Sequence, residues 1–217
     1  MEAPFSHTGE LAALATAVCW AISALAFQTA GRRVGSLPVN LIRLVMAVFL
    51  LGAFTWATRG APLPMDASPH VWVWLSLSGL AGFTIGDLCL FRAFVLVGAR
   101  VSMLMMTLVP LFTTVFGFLV MHELLTPKQI IGMALTIAGV SSVVLERRQD
   151  ANGRAERLPL IGVLLALCGA IGQSLGLVLA KFGMGSYDAF ASTQIRVLAG
   201  IIGFSVVFTV TGRWPRV

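Results

Sequence analysis

Long uncharged runs alternate with short clusters of charged residues along the chain. The runs 101–121 and 158–180 carry no charge, and each reaches the roughly 20 apolar residues that a membrane-spanning helix needs. Five further, mostly apolar runs lie at 11–30, 38–58, 71–92, 129–145 and 189–211. The pattern therefore predicts an all-α, polytopic membrane helix bundle with about seven transmembrane helices.

The composition argues against a water-soluble fold. Hydrophobic residues make up 58% of the 217 residues and charged residues 11%, with a mean hydropathy of +0.92, whereas about a quarter of a soluble chain is charged. The net charge of +6 comes without an aromatic and basic surface for stacking bases, so we expect the lipid bilayer and not nucleic acid as the partner. Cys19, Cys89 and Cys168 lack the spacing of a disulfide framework or metal site. We expect no metal and no cofactor.

The chain repeats itself at an offset of 153 residues. This offset places Gly9 over Gly162, and it carries Ile42 and Arg43 onto Ile195 and Arg196. The repeating unit is then five helices long, and an odd number of spans makes the second unit inverted relative to the first. We expect a first five-helix repeat at 1–146, a basic loop at 147–158 and the first two helices of the second repeat at 159–217. Seven helices of an expected ten indicate a C-terminally truncated chain.

One stretch, 91–144, carries the most specific motifs. Pro110 lies in the fourth run, a Glu-Leu pair at Glu123 follows it, and Gly132 and Gly139 lie in the fifth. With Pro38 opening the second run ahead of Arg43, this pattern resembles the EamA family of the drug/metabolite transporter superfamily. The resemblance implies two five-helix repeats and a transport function, although the second copy of the Pro and Glu-Leu pattern is absent.

Asp87 is the clearest functional candidate, because a charge within the bilayer is costly and usually faces a cavity or a partner. It could bind a cationic substrate or exchange a proton for it. The alternative is a structural ion pair with Arg43 or Arg92.

The repeat also pairs other candidate binding residues. Arg43 and Arg196 occupy equivalent places, where each could contact a substrate anion or form a gate ion pair; the alternative is a guanidinium that extends to the lipid headgroups. Because the repeats are inverted, we expect the two arginines to approach opposite membrane faces. The same offset superposes Trp20 on Gln173, and both could line a substrate pathway or serve in packing and interhelical hydrogen bonding.

Small residues predict close helix packing in two spans. A spacing of i, i+3 and i+7 lines one helical face, where glycine lets backbones approach closely. This spacing occurs at Gly79, Gly82 and Gly86 and again at Gly169, Gly172 and Gly176. Such faces could also slide or rock. We expect Pro110 to kink the fourth span and Glu123 to close an interfacial turn.

These observations favour a secondary transporter that exports a small metabolite or drug-like molecule across the plasma membrane, that is, the cytoplasmic or inner membrane. Alternating access between inverted repeats is the expected mechanism, either coupled to protons through Asp87 or as facilitated exchange. A structural or assembly subunit is the alternative, followed by an intramembrane enzyme. An enzyme is not expected, because no nucleophile and base or metal ligands converge in the predicted spans.

Overall fold

The structure, a computed structural model, describes residues 8–121, 126–145, 148–149, 155–156 and 159–212. Within these residues nearly all of the chain is helical. The helices are α1 (Thr8–Val34), α2 (Ser36–Arg59), α3 (Pro69–Gly79), a π-helical segment (Leu80–Gly86), α4 (Asp87–Leu96), α5 (Gly98–Met106), α6 (Val109–Met121), α7 (Pro127–Leu145), α8 (Leu160–Met184) and α9 (Ala189–Thr211). Two short antiparallel strands, β1 (Arg148–Gln149) and β2 (Ala155–Glu156), lie in the predicted loop between repeats.

Helices occupy all seven predicted runs, which confirms the polytopic helical bundle. In the described parts of the chain, six stretches are long and apolar enough to cross a membrane: Gly9–Val34, Ser36–Arg59, Pro69–Leu96, Gly98–Val120, Leu160–Met184 and Ala189–Thr211. The third span joins α3, the π-helical segment and α4, and the fourth joins α5 and α6. The remaining predicted run, the fifth along the chain at 129–145, forms the 19-residue helix α7.

Residues at the helix ends explain where the spans begin and stop. Gly60 closes α2 in a left-handed conformation with φ at 73°, and its N–H bonds the carbonyl of Trp56, as glycine caps commonly do. The Ser68 side chain accepts a hydrogen bond at the start of α3. Asp188 accepts one from the Ala191 N–H at 2.8 Å at the start of α9. The two side-chain caps satisfy backbone donors that a helix leaves unpaired at its start, and Gly60 satisfies a backbone acceptor at its end.

The third span lies at the centre of the bundle. It packs against both α8 and α9, and α8 also contacts α5 and α6, while α1 packs on α2 and α4. Leu75, Ile195 and Phe204 are fully buried where these helices meet. In contrast, the first half of α1 is exposed, with Leu11 at 64%, which suits contact with lipid chains. Ser78, Thr84 and Asp87 of the third span are therefore held inside the protein.

Asp66, in the loop after α2, contacts both the end of α2 and the loop before α9. Arg59 Nη2 donates to Asp66 Oδ2 at 2.6 Å, and the Tyr187 hydroxyl donates to Asp66 Oδ1 at 2.8 Å. The hydrogen bond from Tyr187 holds the pKa of the Asp66 carboxyl below its ordinary value. Burial in turn raises the pKa of the Tyr187 hydroxyl. The hydrogen bond between Tyr187 and Asp66 thus connects the loop before α9 to the loop after α2.

Candidate functional site

Asp87 is buried within the third span, directly after the π-helical segment. Its backbone N–H reaches the carbonyl of Gly82, five residues earlier, and that of Thr84. A π-helical turn displaces the following residues, and such turns are frequent at functional sites. The residue is 2% exposed, so its charge needs partners from neighbouring helices.

Two helices supply those partners. Arg43 of α2 forms an ion pair with Asp87, its Nη2 donating to Oδ2. Gln173 of α8 donates from Nε2 to Asp87 Oδ1 at 2.6 Å and to the Gly82 carbonyl at 3.3 Å. Both carboxylate oxygens are therefore occupied. Arg43 and Arg92 were the two predicted ion-pair partners of Asp87, and in the structure Asp87 pairs with Arg43. Arg92 lines a separate small cleft beside the turn between α1 and α2.

Arg196 of α9 joins this cluster through Phe83. Its guanidinium carbon lies 4.8 Å from the centroid of the Phe83 ring, and that of Arg43 lies 5.9 Å from the same centroid. The expectation that the two arginines approach opposite membrane faces is therefore wrong. Because α2 and α9 pack on each other and on the third span, both side chains turn inward to one aromatic ring.

A cavity of about 370 Å³ lies beside the cluster, between α1, α2, the third span and α8. Its volume falls at the lower end of small-molecule sites, which span about 300–1,000 Å³. Four of the five predicted binding residues line it: Asp87, Arg43, Trp20 and Gln173. Aromatic rings supply much of the remaining wall, namely Phe27, Phe83, Phe91 and Phe94. Arg196 does not line the cavity but contacts Phe83, which does.

The two glycine faces pack the third span against α8 and α9. A Cβ built on Gly172 would lie 2.8 Å from the Gly86 Cα, and one built on Gly176 would lie 2.9 Å from the Gly82 Cα. Gly169 packs beside the Gly86 carbonyl, and Gly79 lies against the backbone of Arg196. Backbones this close leave no room for a side chain. The contact brings Gln173 within hydrogen-bond reach of Asp87.

Pro110 is the second residue of α6, where the fourth span is broken. α5 ends at Met106 and α6 begins at Val109, with a short turn between them. Proline has no backbone N–H, so it cannot donate the hydrogen bond that would continue the helix from the preceding turn. The Ser174 hydroxyl of α8 donates to the Val109 carbonyl at 3.0 Å, which links the break to the neighbouring span. Glu123 lies outside the described residues.

Some features of the site were not identified from the sequence. The π-helical segment and the inward-facing rings of Phe83 and Phe91 were missed, although the glycine spacing around Phe83 marks an unusual helical stretch. The Cys89 and Cys168 sulfurs lie 3.3 Å apart, although 79 residues separate them. Within the described residues, no group of three or more His, Cys, Asp or Glu side chains is placed to hold a metal ion.

Together these features define a multi-pass helical membrane protein with a charged, aromatic cavity of small-molecule size between its spans. The profile of the EamA-like transporter family matches residues 7–145. This match covers more than half of the chain, so the chain belongs to that family and is a membrane transporter of the drug/metabolite type with a small-molecule substrate. No curated protein and no solved structure matches the chain significantly.

Proposed function

We propose that the chain is a secondary transporter that exports a small metabolite or drug-like molecule across the plasma membrane. The observation that carries this proposal is the cavity with Asp87 at its wall. Its lining includes Arg43 from the first predicted repeat and Gln173 from the second. A site between repeats is the arrangement on which inverted-repeat transporters rely for alternating access.

The glycine contacts support a relative motion of the repeats. The third span meets α8 through Gly82, Gly86, Gly172 and Gly176, with backbone against backbone. A face without side chains has no interlocking rotamers to rearrange when one helix rocks on the other. In this mechanism the two units pivot at the glycine contact and expose the cavity to each side in turn.

Asp87 is the proposed proton-coupling site. Its charge is held by Arg43 and Gln173, and a movement of α2 or α8 would remove one of these donors. A buried carboxylate that loses its partner favours the protonated form. Opening and closing of the cavity would therefore be linked to uptake and release of a proton.

The test is an export assay in cells that express the full chain. Cells are loaded with an isotope-labelled metabolite mixture, and the medium is analysed by mass spectrometry over time. We expect at least one compound to leave faster than from cells without the chain, and Asp87→Asn to abolish the difference. Asp66→Asn, which alters an exposed loop carboxylate, is the matched control. If no compound leaves faster than from cells without the chain, the proposed export is contradicted.

A further inference from the structure

The hydrogen bonds of Asp87 determine what it offers to a ligand. Its side chain is 3% exposed. One oxygen accepts from Arg43 and the other from Gln173 at 2.6 Å. A cationic ligand would have to displace one of these donors to reach the carboxylate. Displacing Arg43 would leave a guanidinium without its counter-ion in a low-dielectric site, which is costly.

Arg43 is the charged group that remains accessible. Its side chain is 28% exposed and lines the cavity. A guanidinium has five N–H donors. Among the described residues, Nη2 donates to Asp87, while Nε has no hydrogen-bond partner but is enclosed by protein atoms. The exposed part of the guanidinium is therefore its Nη end, which offers further N–H donors on a positive group to the oxygens of an acidic group.

The charge balance of the cluster also favours an anionic ligand. Arg196 brings a second guanidinium to Phe83, and its Nε has no partner among the described residues. The described part of the cluster thus sets two guanidinium groups against the single carboxylate of Asp87. An excess positive charge in a low-dielectric site attracts an anion more strongly than it would in water.

The rest of the cavity suits an apolar body. Trp20, Phe27 and Phe94 line it together with Phe83 and Phe91. Rings of this kind bury the apolar part of a ligand, while a few polar groups fix its orientation. The volume of about 370 Å³ limits the occupant to a small molecule.

We propose that the cavity binds a small organic anion. Its carboxylate or similar acidic group pairs with the unused donors of Arg43, and its apolar body packs among Trp20, Phe27 and Phe94. Asp87 positions Arg43 and does not contact the ligand. This deepens the proposed function by naming the substrate class of the same site. It depends on that function for transport across the membrane, but not for binding.

Three probes of the same shape and different charge test the proposal: hydrocinnamate, hydrocinnamyl alcohol and hydrocinnamylamine. The full chain is placed in phosphatidylcholine nanodiscs, where no anionic headgroup competes, and binding is measured by equilibrium dialysis at neutral pH. We expect hydrocinnamate to bind at least about tenfold more tightly than the alcohol or the amine, because hydrogen bonds to charged groups are the stronger ones.

A double variant separates the anion site from the fold. Arg43→Gln with Asp87→Asn removes both charges but leaves hydrogen-bonding groups in place. It should lose the preference for the acid and keep its affinity for the alcohol. The matched control, Arg59→Gln with Asp66→Asn, removes the exposed loop pair and should keep the preference. If the double variant does not stay monodisperse, Arg196→Gln leaves the ion pair intact and should reduce the preference by about threefold.

The outcomes distinguish the ligand class from the transport function. Equal binding of the three probes, tightest binding of the amine, no binding of any probe, or an unchanged preference in the double variant would each overturn the anion site. Proteoliposomes of phosphatidylcholine complete the test. Hydrocinnamate that binds with the expected preference but crosses no faster than in protein-free liposomes contradicts transport and supports the ligand class. Passage of the amine, but not of the acid, at a rate above that of protein-free liposomes contradicts the ligand class and supports transport.

Discussion

Gly172→Ala tests the closest contact between the third span and α8. A Cβ at this position would lie 2.8 Å from the Gly86 Cα and 3.0 Å from both the Gly86 nitrogen and the Ala81 carbonyl oxygen. All three are backbone atoms, so no side chain can turn away. Since carbon atoms pack at about 3.5–4.0 Å, the helices would have to separate by roughly 0.7–1.2 Å.

The energetic cost follows from that separation. Overpacking a well-packed interface costs about 1–3 kcal/mol, and the higher helix propensity of alanine offsets up to about 1 kcal/mol of it. We therefore expect a net loss of about 0–2 kcal/mol in the free energy of unfolding relative to the wild type, and a loss of about 1–3 kcal/mol relative to a helical glycine-to-alanine change that meets no overpacking. Gln173 is the next residue, so the same separation should also lengthen its hydrogen bond to Asp87.

Reversible unfolding by SDS in mixed micelles, followed by tryptophan fluorescence, measures this loss. Gly132→Ala in α7 is the matched control, because nothing lies within 4 Å of a Cβ built there. It should leave the free energy of unfolding unchanged or raise it by less than about 1 kcal/mol. Equal stability of Gly172→Ala and Gly132→Ala would refute the close packing.

Three further predictions concern other parts of the fold. Diamide should oxidise Cys89 and Cys168, whose sulfurs are 3.3 Å apart, to a disulfide. The two thiols lose two electrons and two protons to the diamide, and peptide mass spectrometry detects the disulfide. The Tyr187 hydrogen bond lowers the pKa of Asp66. The ionised Asp66 carboxylate should therefore contribute fully to stability above about pH 4, and this contribution should disappear as the pH falls through the lowered pKa. Acid unfolding curves measure the change. Asp188→Ala should cost about 1 kcal/mol in the SDS assay, because it removes the cap of α9.

Each of these predictions has its own control. Cys19→Ser should leave the diamide cross-link intact, while Cys89→Ser should abolish it; a cross-link through Cys19 would contradict the packing. Asp66→Asn should weaken the dependence of stability on acid, and an unchanged curve would exclude a contribution from this carboxylate. Asp188→Ser keeps a capping oxygen and should lose less stability than Asp188→Ala; equal losses would argue against the cap.

The spans could be predicted from the sequence because the bilayer imposes a simple rule. A helix that crosses it needs about 20 apolar residues, so hydropathy alone locates each segment. The glycine spacing at 79, 82 and 86 likewise marks a helical face before any partner is known. The repeat also selected three residues that line the cavity, Arg43, Trp20 and Gln173, and a fourth, Arg196, that contacts its wall through Phe83.

Only the tertiary structure decided how these residues meet. Asp87 pairs with Arg43 and not with Arg92, and Arg43 and Arg196 share one aromatic ring. Such contacts depend on the rotation and depth of each helix relative to its neighbours, to within less than one turn. Glycine packing and the π-helical segment set these quantities jointly across several spans. A linear pattern specifies the apolar length of a helix, but the direction of its polar side chains is fixed only when the helices pack.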